Sequence, residues 1–290
     1  MPLPPYAADY AAIERVIGRD PGGRNIGALV QPGHLAAAAG ALAGAGHALI
    51  VSGFYVPEAQ AGETDGPPGA QTIGAALTAL GVRVSYVTDA PNRPLFAGLG
   101  LAPLHTYAPG LIARLRPTHL IAVERVGRAA DGRYYNMRGT DITGHTAPLD
   151  ELFLEARRAG LSTIGIGDGG NEIGMGRVAD QVRARVAAGS RIACVVETDH
   201  LIVAGVSNWG AYGLVGALSL LHGADLLPTA EAARDQVLRL VAGGGVDGVT
   251  LRAEPTVDGL PLDDSLAVLE QVRRRARAAA PAGRRSSASP

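Results

Sequence analysis

Lysine is missing from the sequence, and cysteine occurs once. All 26 basic side chains among the 290 residues are arginines, which excludes Schiff-base catalysis and the lysine of a phosphate-binding P-loop. Any side-chain cation that meets a substrate carboxylate is therefore an arginine fork, which suits bidentate recognition. Cys194 has no partner for an internal disulfide, and its place in the apolar run IACVV favours a buried thiol in a reducing compartment.

Excess charge and long apolar runs are also missing. The 26 basic and 27 acidic residues leave a net charge of −1, so the chain has no general attraction to nucleic acid or to anionic membranes. No uninterrupted apolar stretch reaches the length of about 18 residues that a membrane span needs, and the opening MPLPPYAADY lacks the features of a signal peptide. We therefore expect a soluble, cytoplasmic protein that binds neither nucleic acid nor membrane.

Apolar blocks rich in β-branched residues alternate with Gly-bounded helical blocks. This pattern predicts an α/β fold of three-layer, Rossmann-like type, with a mostly parallel sheet and helices on both faces. We expect one domain over residues 1–278, in which 1–30 form a helical extension, and a disordered tail over 279–290. Strands are predicted at 47–53, 82–89, 118–124, 162–168 and 191–197, with a weaker one near 245–252. Helices are predicted at 32–45, 70–80, 108–115, 148–159, 171–187, 207–222, 228–241 and 263–278.

Acidic residues follow four of the predicted strands. Ligands of open parallel sheets bind outside the carboxyl ends of the strands, so we expect these side chains to meet at one edge. Their mutual repulsion is costly unless a cation or a bound ammonium group offsets it. Oxygen ligands without paired histidines favour magnesium, manganese or calcium over zinc. The candidate ligands are Glu63, Asp65, Glu124, Asp141, Asp168, Glu172 and Asp199.

Two segments after the strands suggest further ligand contacts. The 22 residues from Glu124 to His145 contain Arg125, Arg128 and Arg138, which either clamp a carboxylate or phosphate or neutralise their acidic neighbours. The turn GIGDGGNEIGMG departs from the dinucleotide fingerprint, because an acidic residue stands where a pyrophosphate would approach, so no nucleotide cofactor is expected. Asp168 or Asn171 could instead cap the helix that follows, and Ser207 is a natural cap for the helix at 207–222.

Four of these motifs together resemble a known family. GETDGPPGA, ERVGRAADGRYYNMRGTDIT, GIGDGGNEIGMG and the TD…AGVSNWGAYG run are similar to the C-terminal domain of the D-glutamate cyclase family, over about residues 10 to 275. The resemblance implies that D-glutamate closes to 5-oxo-D-proline with loss of water, and it implies a divalent cation, manganese or magnesium. Animal members carry a further hydro-lyase-like domain, so the expected partners are a small-molecule substrate, a separate hydro-lyase-like subunit or a second copy of the chain.

The resemblance and the residues together give a set of roles. Asp168 and Glu172 are assigned to catalysis, and Tyr134 or Tyr135 to donation towards the oxyanion. The three arginines named above are expected to bind substrate, together with Asn136, Asn171 and Asn208. Two other classes of function use the same groups: a metal-dependent phosphatase or related hydrolase, with the arginines on phosphate, and a binding module that partners a hydro-lyase subunit without turnover.

Overall fold

The computed structural model describes residues 6–278, and its centre is a sheet of six parallel strands. These are β1 (His47–Ser52), β4 (Arg83–Thr88), β5 (Leu104–Thr106), β6 (His119–Val123), β7 (Ser162–Gly167) and β8 (His200–Val203). They lie in the order β5-β4-β1-β6-β7-β8, so the strand order reverses between β1 and β6, as in doubly wound folds. Two small antiparallel pairs lie outside this sheet: β2 (Tyr55–Val56) with β3 (Ala61–Gly62), and β9 (Thr256–Val257) with β10 (Leu260–Pro261).

Helices cover both faces of the sheet. One face carries α1 (Ala7–Ile17), α2 (His34–Leu42), α3 (Pro67–Ala79), α4 (Arg93–Gly98), α9 (Ser207–His222), α10 (Ala230–Ala242) and α11 (Leu262–Ala278). The other carries α5 (Leu111–Leu115), α6 (Asp150–Arg158), α7 (Ala179–Arg185) and α8 (Gly189–Ile192). The predicted three-layer α/β fold is therefore confirmed. None of the helices within residues 6–278 is long and apolar enough to cross a membrane.

The central strands are apolar on both sides because both sides are covered. Ile50 and Ile121 point into the core cluster beneath α9, whereas their neighbours Leu49 and Leu120 point into the cluster beneath α6. This two-sided burial explains the nearly continuous apolar runs of the sequence. The first 30 residues contribute to the same packing, since Ile13 and Ile17 of α1 are fully buried in the cluster that includes α9.

The strand predictions are confirmed at 47–53, 82–89, 118–124 and 162–168, and wrong at 191–197. That segment forms α8 and then an irregular stretch whose backbone bonds to loops: the N–H of Cys194 donates to Gly170 O at 3.0 Å, and that of Val195 to Arg128 O at 3.0 Å. The sixth strand is β8, which starts at His200. Near 245–252 only Val246 forms a bridge, to Glu63.

The predicted helices have counterparts in the structure. The least accurate prediction is 171–187, because a glycine-rich turn precedes α7. The strand β5 and the helix α4 were not predicted. The predicted disordered tail at 279–290 lies outside the described residues.

Candidate active site

Three buried carboxylates meet at the carboxyl edge of the sheet. Glu124 directly follows β6, Asp168 directly follows β7, and Asp65 follows β3 in the loop that leads into α3. One oxygen from each lies within 4.8 Å of the others, and all three residues are buried. This group, the carboxylate triad, lies where the strand order reverses, which is the usual ligand site of such sheets.

The N-terminus of α9 points at the triad. The backbone N–H of Ser207 donates to Asp65 Oδ2 and Asp168 Oδ2, both at 2.9 Å, and that of Asn208 donates to Asp65 Oδ1 at 2.8 Å. The Ser207 hydroxyl donates to Glu124 and does not cap the helix, contrary to the sequence prediction. The partial positive charge of a helix N-terminus favours anions, so α9 stabilises the ionised triad.

The backbone around Glu124 is strained. Glu124 has a φ of +44°, a left-handed conformation that is costly for a residue with a side chain and is found mainly where function requires it. Gly66 faces it with a φ of +98°, and a Cβ at position 66 would lie 2.8 Å from the Cβ of Glu124. Only glycine therefore allows the Asp65 loop and the end of β6 to approach this closely.

Burial and mutual repulsion shift the pKa values of these acids upward. Burial raises the pKa of Asp65 to about 7, and it raises the pKa values of Glu124 and Asp168 well above their ordinary range. Burial also raises the pKa of Glu63, and repulsion by Asp258 and Asp65 adds to the effect. Each group loses hydration in its charged form and has like charges beside it, so the cluster favours protons or cations.

Two site residues were not predicted from the sequence. Arg24, in the loop between α1 and α2, donates from its guanidinium to the carboxylate of Asp168 and lies 3.0 Å from Asp258 Oδ2. Asp258 belongs to the tight turn between β9 and β10. Neither residue follows a strand of the main sheet, so strand-end reasoning missed both. The only local pattern is the Asp-Gly pair at 258–259, which is typical of a hairpin turn.

A cavity of about 250 Å³ opens beside the triad. Glu63, which directly follows β3, lines this cavity and is 8% exposed. The backbone of Gly248 approaches Glu63 so closely that a Cβ there would lie 2.2 Å from Glu63 Oε2. The cavity therefore presents acids and arginines together. Its lining consists of Arg24, Glu63, Glu124, Asn136, Met137, Arg138, Asp168, Gly248, Val249, Asp258 and the segment 54–58.

Glu172 and Asn171 lie in the turn after β7 and bind its backbone. The carboxylate of Glu172 accepts the N–H groups of Asp168 at 2.8 Å, Gly169 at 2.6 Å and Gly170 at 2.6 Å. The side-chain amide of Asn171 donates to Tyr135 O at 2.7 Å. Both residues therefore shape the loop that carries Asp168. Asn208 acts similarly on the Asp65 loop, because its Oδ1 accepts from Gly69 N at 2.7 Å.

Two predicted ligands lie apart from the triad. Asp199 precedes β8 and so lies at the amino edge of the sheet, where its carboxylate accepts from Thr163 N and Oγ1 at 2.8 Å. Its predicted position depended on the wrong strand at 191–197. Asp141 is paired with Arg133 at 2.8 Å, and hydrogen bonds from Thr143 together with Arg133 lower the pKa of Asp141 to about 2.

The predicted arginines divide into two groups. Arg125 is 1% exposed and donates to Asp89 at 2.7 Å, Gly53 O at 2.8 Å and Ala147 O at 2.7 Å. Arg128 pairs with Asp150 and Glu151, each at 2.6 Å. Arg138 alone of the three lines the cavity, beside Asn136.

The two tyrosines are both engaged with carboxylates. The hydroxyl of Tyr134 donates to Asp150 at 2.6 Å, and that of Tyr135 donates to Asp131 at 2.5 Å. Neither side chain is part of the cavity lining.

Comparison with known proteins identifies the family. The family described as D-glutamate cyclase-like, C-terminal, matches residues 13–273. The chain belongs to this family. Human mitochondrial D-glutamate cyclase is 40% identical, in a match that covers 72% of this chain and 38% of that protein. This D-glutamate cyclase-like chain thus spans less than two fifths of the length of its human relative.

Solved structures contribute less. An exopolyphosphatase-related protein from Bacteroides fragilis matches 85% of this cyclase-like chain and 58% of its own, with 10% identity and a TM-score of 0.37. A likeness of that size carries no argument about fold or function.

The triad fits a hard divalent cation. Two oxygens bound to one such ion at about 2.0–2.6 Å lie no more than about 4–5 Å apart, and the triad oxygens meet this limit at 4.8 Å. Carboxylates are preferred ligands of magnesium, manganese and calcium. Burial and neighbouring acids raise the pKa values of Asp65, Glu124 and Asp168, so a cation among them would offset charge that is costly to bury. The triad could therefore hold a metal ion.

Proposed function

We propose that the protein catalyses the dehydrative cyclisation of D-glutamate to 5-oxo-D-proline, with manganese or magnesium held by Asp65, Glu124 and Asp168. The observation that carries this proposal is the buried triad beside a cavity, in a chain that belongs to the D-glutamate cyclase-like family. When bound, the cation would act as a Lewis acid on the γ-carboxylate and offset the charge of the triad.

The cavity suits an acidic amino acid. D-glutamate brings two carboxylates and one ammonium group, which require cationic and anionic partners respectively. Arg138 lines the cavity, and its Nη2 makes only long hydrogen bonds, of 3.3 Å to Gly248 O and 3.2 Å to Val249 O. Its other N–H groups have no hydrogen-bond partner among residues 6–278, so they are free to bind a substrate carboxylate. Asn136 lies beside it, where its Oδ1 accepts from the backbone N–H of Arg138 at 3.0 Å and its Nδ2 donates to Glu58 at 3.3 Å.

Cyclisation moves two protons from nitrogen to oxygen. The α-ammonium loses one proton, and the amine attacks the γ-carboxyl carbon to form the C–N bond. The nitrogen then loses its second proton, and the C–O bond breaks as the oxygen takes up both protons and departs as water. We assign the proton transfer to Glu63, because its carboxylate lines the cavity and its raised pKa lies closer to that of an ammonium group.

The sequence-based roles change accordingly. Asp168 remains as a cation ligand. Glu172 positions the turn that carries Asp168, because its carboxylate is occupied by backbone N–H groups. Tyr134 donates to Asp150 and so supports the neighbouring loop. The dehydration therefore depends on Glu63, which the sequence suggested only as a ligand.

The test is product formation from single enantiomers. Protein stripped with a chelator and reloaded with manganese or magnesium is incubated with D- or L-glutamate, and 5-oxoproline is followed by chiral chromatography and mass spectrometry. We expect 5-oxo-D-proline, and a loss of about 10²–10⁴-fold in rate for Glu63→Gln. Glu197→Gln serves as the control, because that side chain is half exposed and pairs with Arg157.

Other outcomes point to the other classes of function. Phosphate release from a panel of phosphoesters, with no cyclic product, would favour a metal-dependent hydrolase. Stabilisation by D-glutamate without any product would favour a binding module that partners a hydro-lyase-like subunit. Either result would contradict the proposed reaction for this chain alone.

A further inference from the structure

Arg24 reaches the triad on a separately anchored segment. The carboxylate of Asp20 accepts the backbone N–H groups of Arg24 at 3.0 Å and Ile26 at 3.2 Å. The side chain of Asn25 donates to Arg185 O at 3.3 Å. These contacts hold the loop independently of the strand-end loops that carry the acids. The guanidinium can therefore change partners without any movement of the sheet.

The guanidinium occupies an atom that a cation would need. Asp168 Oδ2 accepts from Ser207 N at 2.9 Å, and Asp168 Oδ1 accepts from Arg24. Both oxygens of this triad member are thus engaged. Within residues 6–278, Arg24 is the only arginine in an ion pair with a triad carboxylate. A divalent cation at Asp168 must therefore compete with the guanidinium for a carboxylate oxygen.

The carboxylate of Asp258 can hold the guanidinium of Arg24 in the cavity after it leaves Asp168. Asp258 Oδ2 lies 3.0 Å from Arg24 Nη2 and has no hydrogen-bond partner of good geometry within the described chain. Both residues line the cavity together with Arg138. A guanidinium that leaves Asp168 and stays with Asp258 would turn its remaining N–H groups towards the bound ligand.

We propose that Arg24 is an exchangeable counterion, which neutralises Asp168 in the cation-free protein and is released by the divalent cation to bind a carboxylate of the substrate. The substrate half of this inference rests on the proposed function. In this scheme the cation and a dicarboxylate each strengthen the binding of the other. The cation replaces Arg24 at Asp168, and the released guanidinium then supplies a positive charge to the dicarboxylate. Arg24 becomes a specificity-determining residue for acidic substrates.

The cation half is tested by calorimetric titration of manganese into chelator-stripped protein at pH 8. Removal of the competing charged hydrogen bond in Arg24→Gln should tighten manganese binding by about tenfold or more. Arg24→Lys keeps the charge and should stay within about threefold of the wild type. Arg138→Gln is the matched control, since it removes the same charge from the same cavity without touching the triad. Unchanged or weaker binding in Arg24→Gln, or equal tightening in Arg138→Gln, would overturn the competition.

The substrate half of the proposal is tested with glutarate, which has both carboxylates but no amine and so cannot cyclise. The affinity for glutarate is measured without manganese and at saturating manganese. Manganese should tighten glutarate binding to the wild type by about tenfold more than it does to Arg24→Gln, in which only direct contact between the cation and the ligand couples the two. Coupling of equal size in the wild type and in Arg24→Gln would overturn the role of Arg24 on the carboxylate. Failure of the proposed function is separate: it would show as no 5-oxoproline from the wild type, while the manganese titrations would still decide the competition.

Discussion

At the scale of single residues, the candidate site concentrates negative charge where water is excluded. Glu63, Asp65, Glu124 and Asp168 are all buried, and burial together with neighbouring acidic groups raises the pKa of each. Buried charges are normally paired or bound to metals. Arg24 supplies one positive charge, and the N-terminus of α9 supplies partial charge. The remaining repulsion between the carboxylates destabilises the folded protein, and a bound cation would relieve it.

This repulsion predicts the pH dependence of stability. The acids have folded-state pKa values above their unfolded values, so between the two the folded protein binds more protons than the unfolded chain, and stability falls as pH rises. Histidines whose pKa values are lowered below 6.5 act in the opposite direction, by an amount that shrinks as the pH rises above the unfolded pKa of 6.5. In chelator we therefore expect the free energy of unfolding in urea to fall from pH 6.5 to 8, through the pKa of Asp65 at about 7.

Saturating manganese should abolish that decline, because the cation replaces the protons. A free energy of unfolding that stays flat or rises from pH 6.5 to 8 in chelator would show that the acids are not held in the repulsive cluster described here.

At the scale of elements, α9 links the core to the site. Fourteen of its sixteen residues are buried, and its glycines allow close contact with neighbouring elements. A Cβ at Gly210 would lie 2.4 Å from Ile166 Cγ2 on β7. Ser207 and Asn208 lie in the first turn of α9 and donate to the triad. The packing of Gly210 on β7 therefore also fixes the position of these donors.

Gly210→Ala should therefore destabilise the protein by about 1–3 kcal/mol, as overpacking does, and weaken manganese binding as well. Gly40→Ala is the matched control: Gly40 lies at an exposed position of α2 with nothing within 4 Å of its added Cβ, and alanine there should stabilise by about 0.4–1 kcal/mol. Thermal and urea unfolding measure both. Equal effects of the two substitutions would contradict the close packing of α9 on β7.

Sequence patterns predicted the helices and strands correctly where burial alone determines the type of element. The range 207–222 is that of α9, and four apolar runs are central strands, because strands covered on both faces must be apolar throughout. The run IACVV has the same composition, yet Cys194 and Val195 bond to loops instead of a strand. Composition does not show which backbone groups a buried segment bonds to. The strand at 191–197 was therefore predicted wrongly, and Asp199 was expected at the wrong edge of the sheet.

At the scale of the whole molecule, sheet polarity separates the acidic residues into two sets. Asp65, Glu124 and Asp168 gather at the carboxyl edge, while Asp199 lies at the amino edge, beside the start of β7. Strand-end reasoning found the first set because parallel strands bring distant segments to one edge. It could not find Arg24 or Asp258, which reach the same cavity from segments outside the main sheet.

The most direct test of the account is a calorimetric titration of manganese into chelator-stripped wild type, Glu124→Gln and Asp199→Asn. The wild type should bind manganese at the triad, Glu124→Gln should lose about tenfold or more in affinity with the loss of one charged ligand, and Asp199→Asn should match the wild type. Circular dichroism of all three confirms that they are folded. Absence of binding to the wild type, or a loss in Asp199→Asn equal to that in Glu124→Gln, would contradict a cation site formed by Asp65, Glu124 and Asp168.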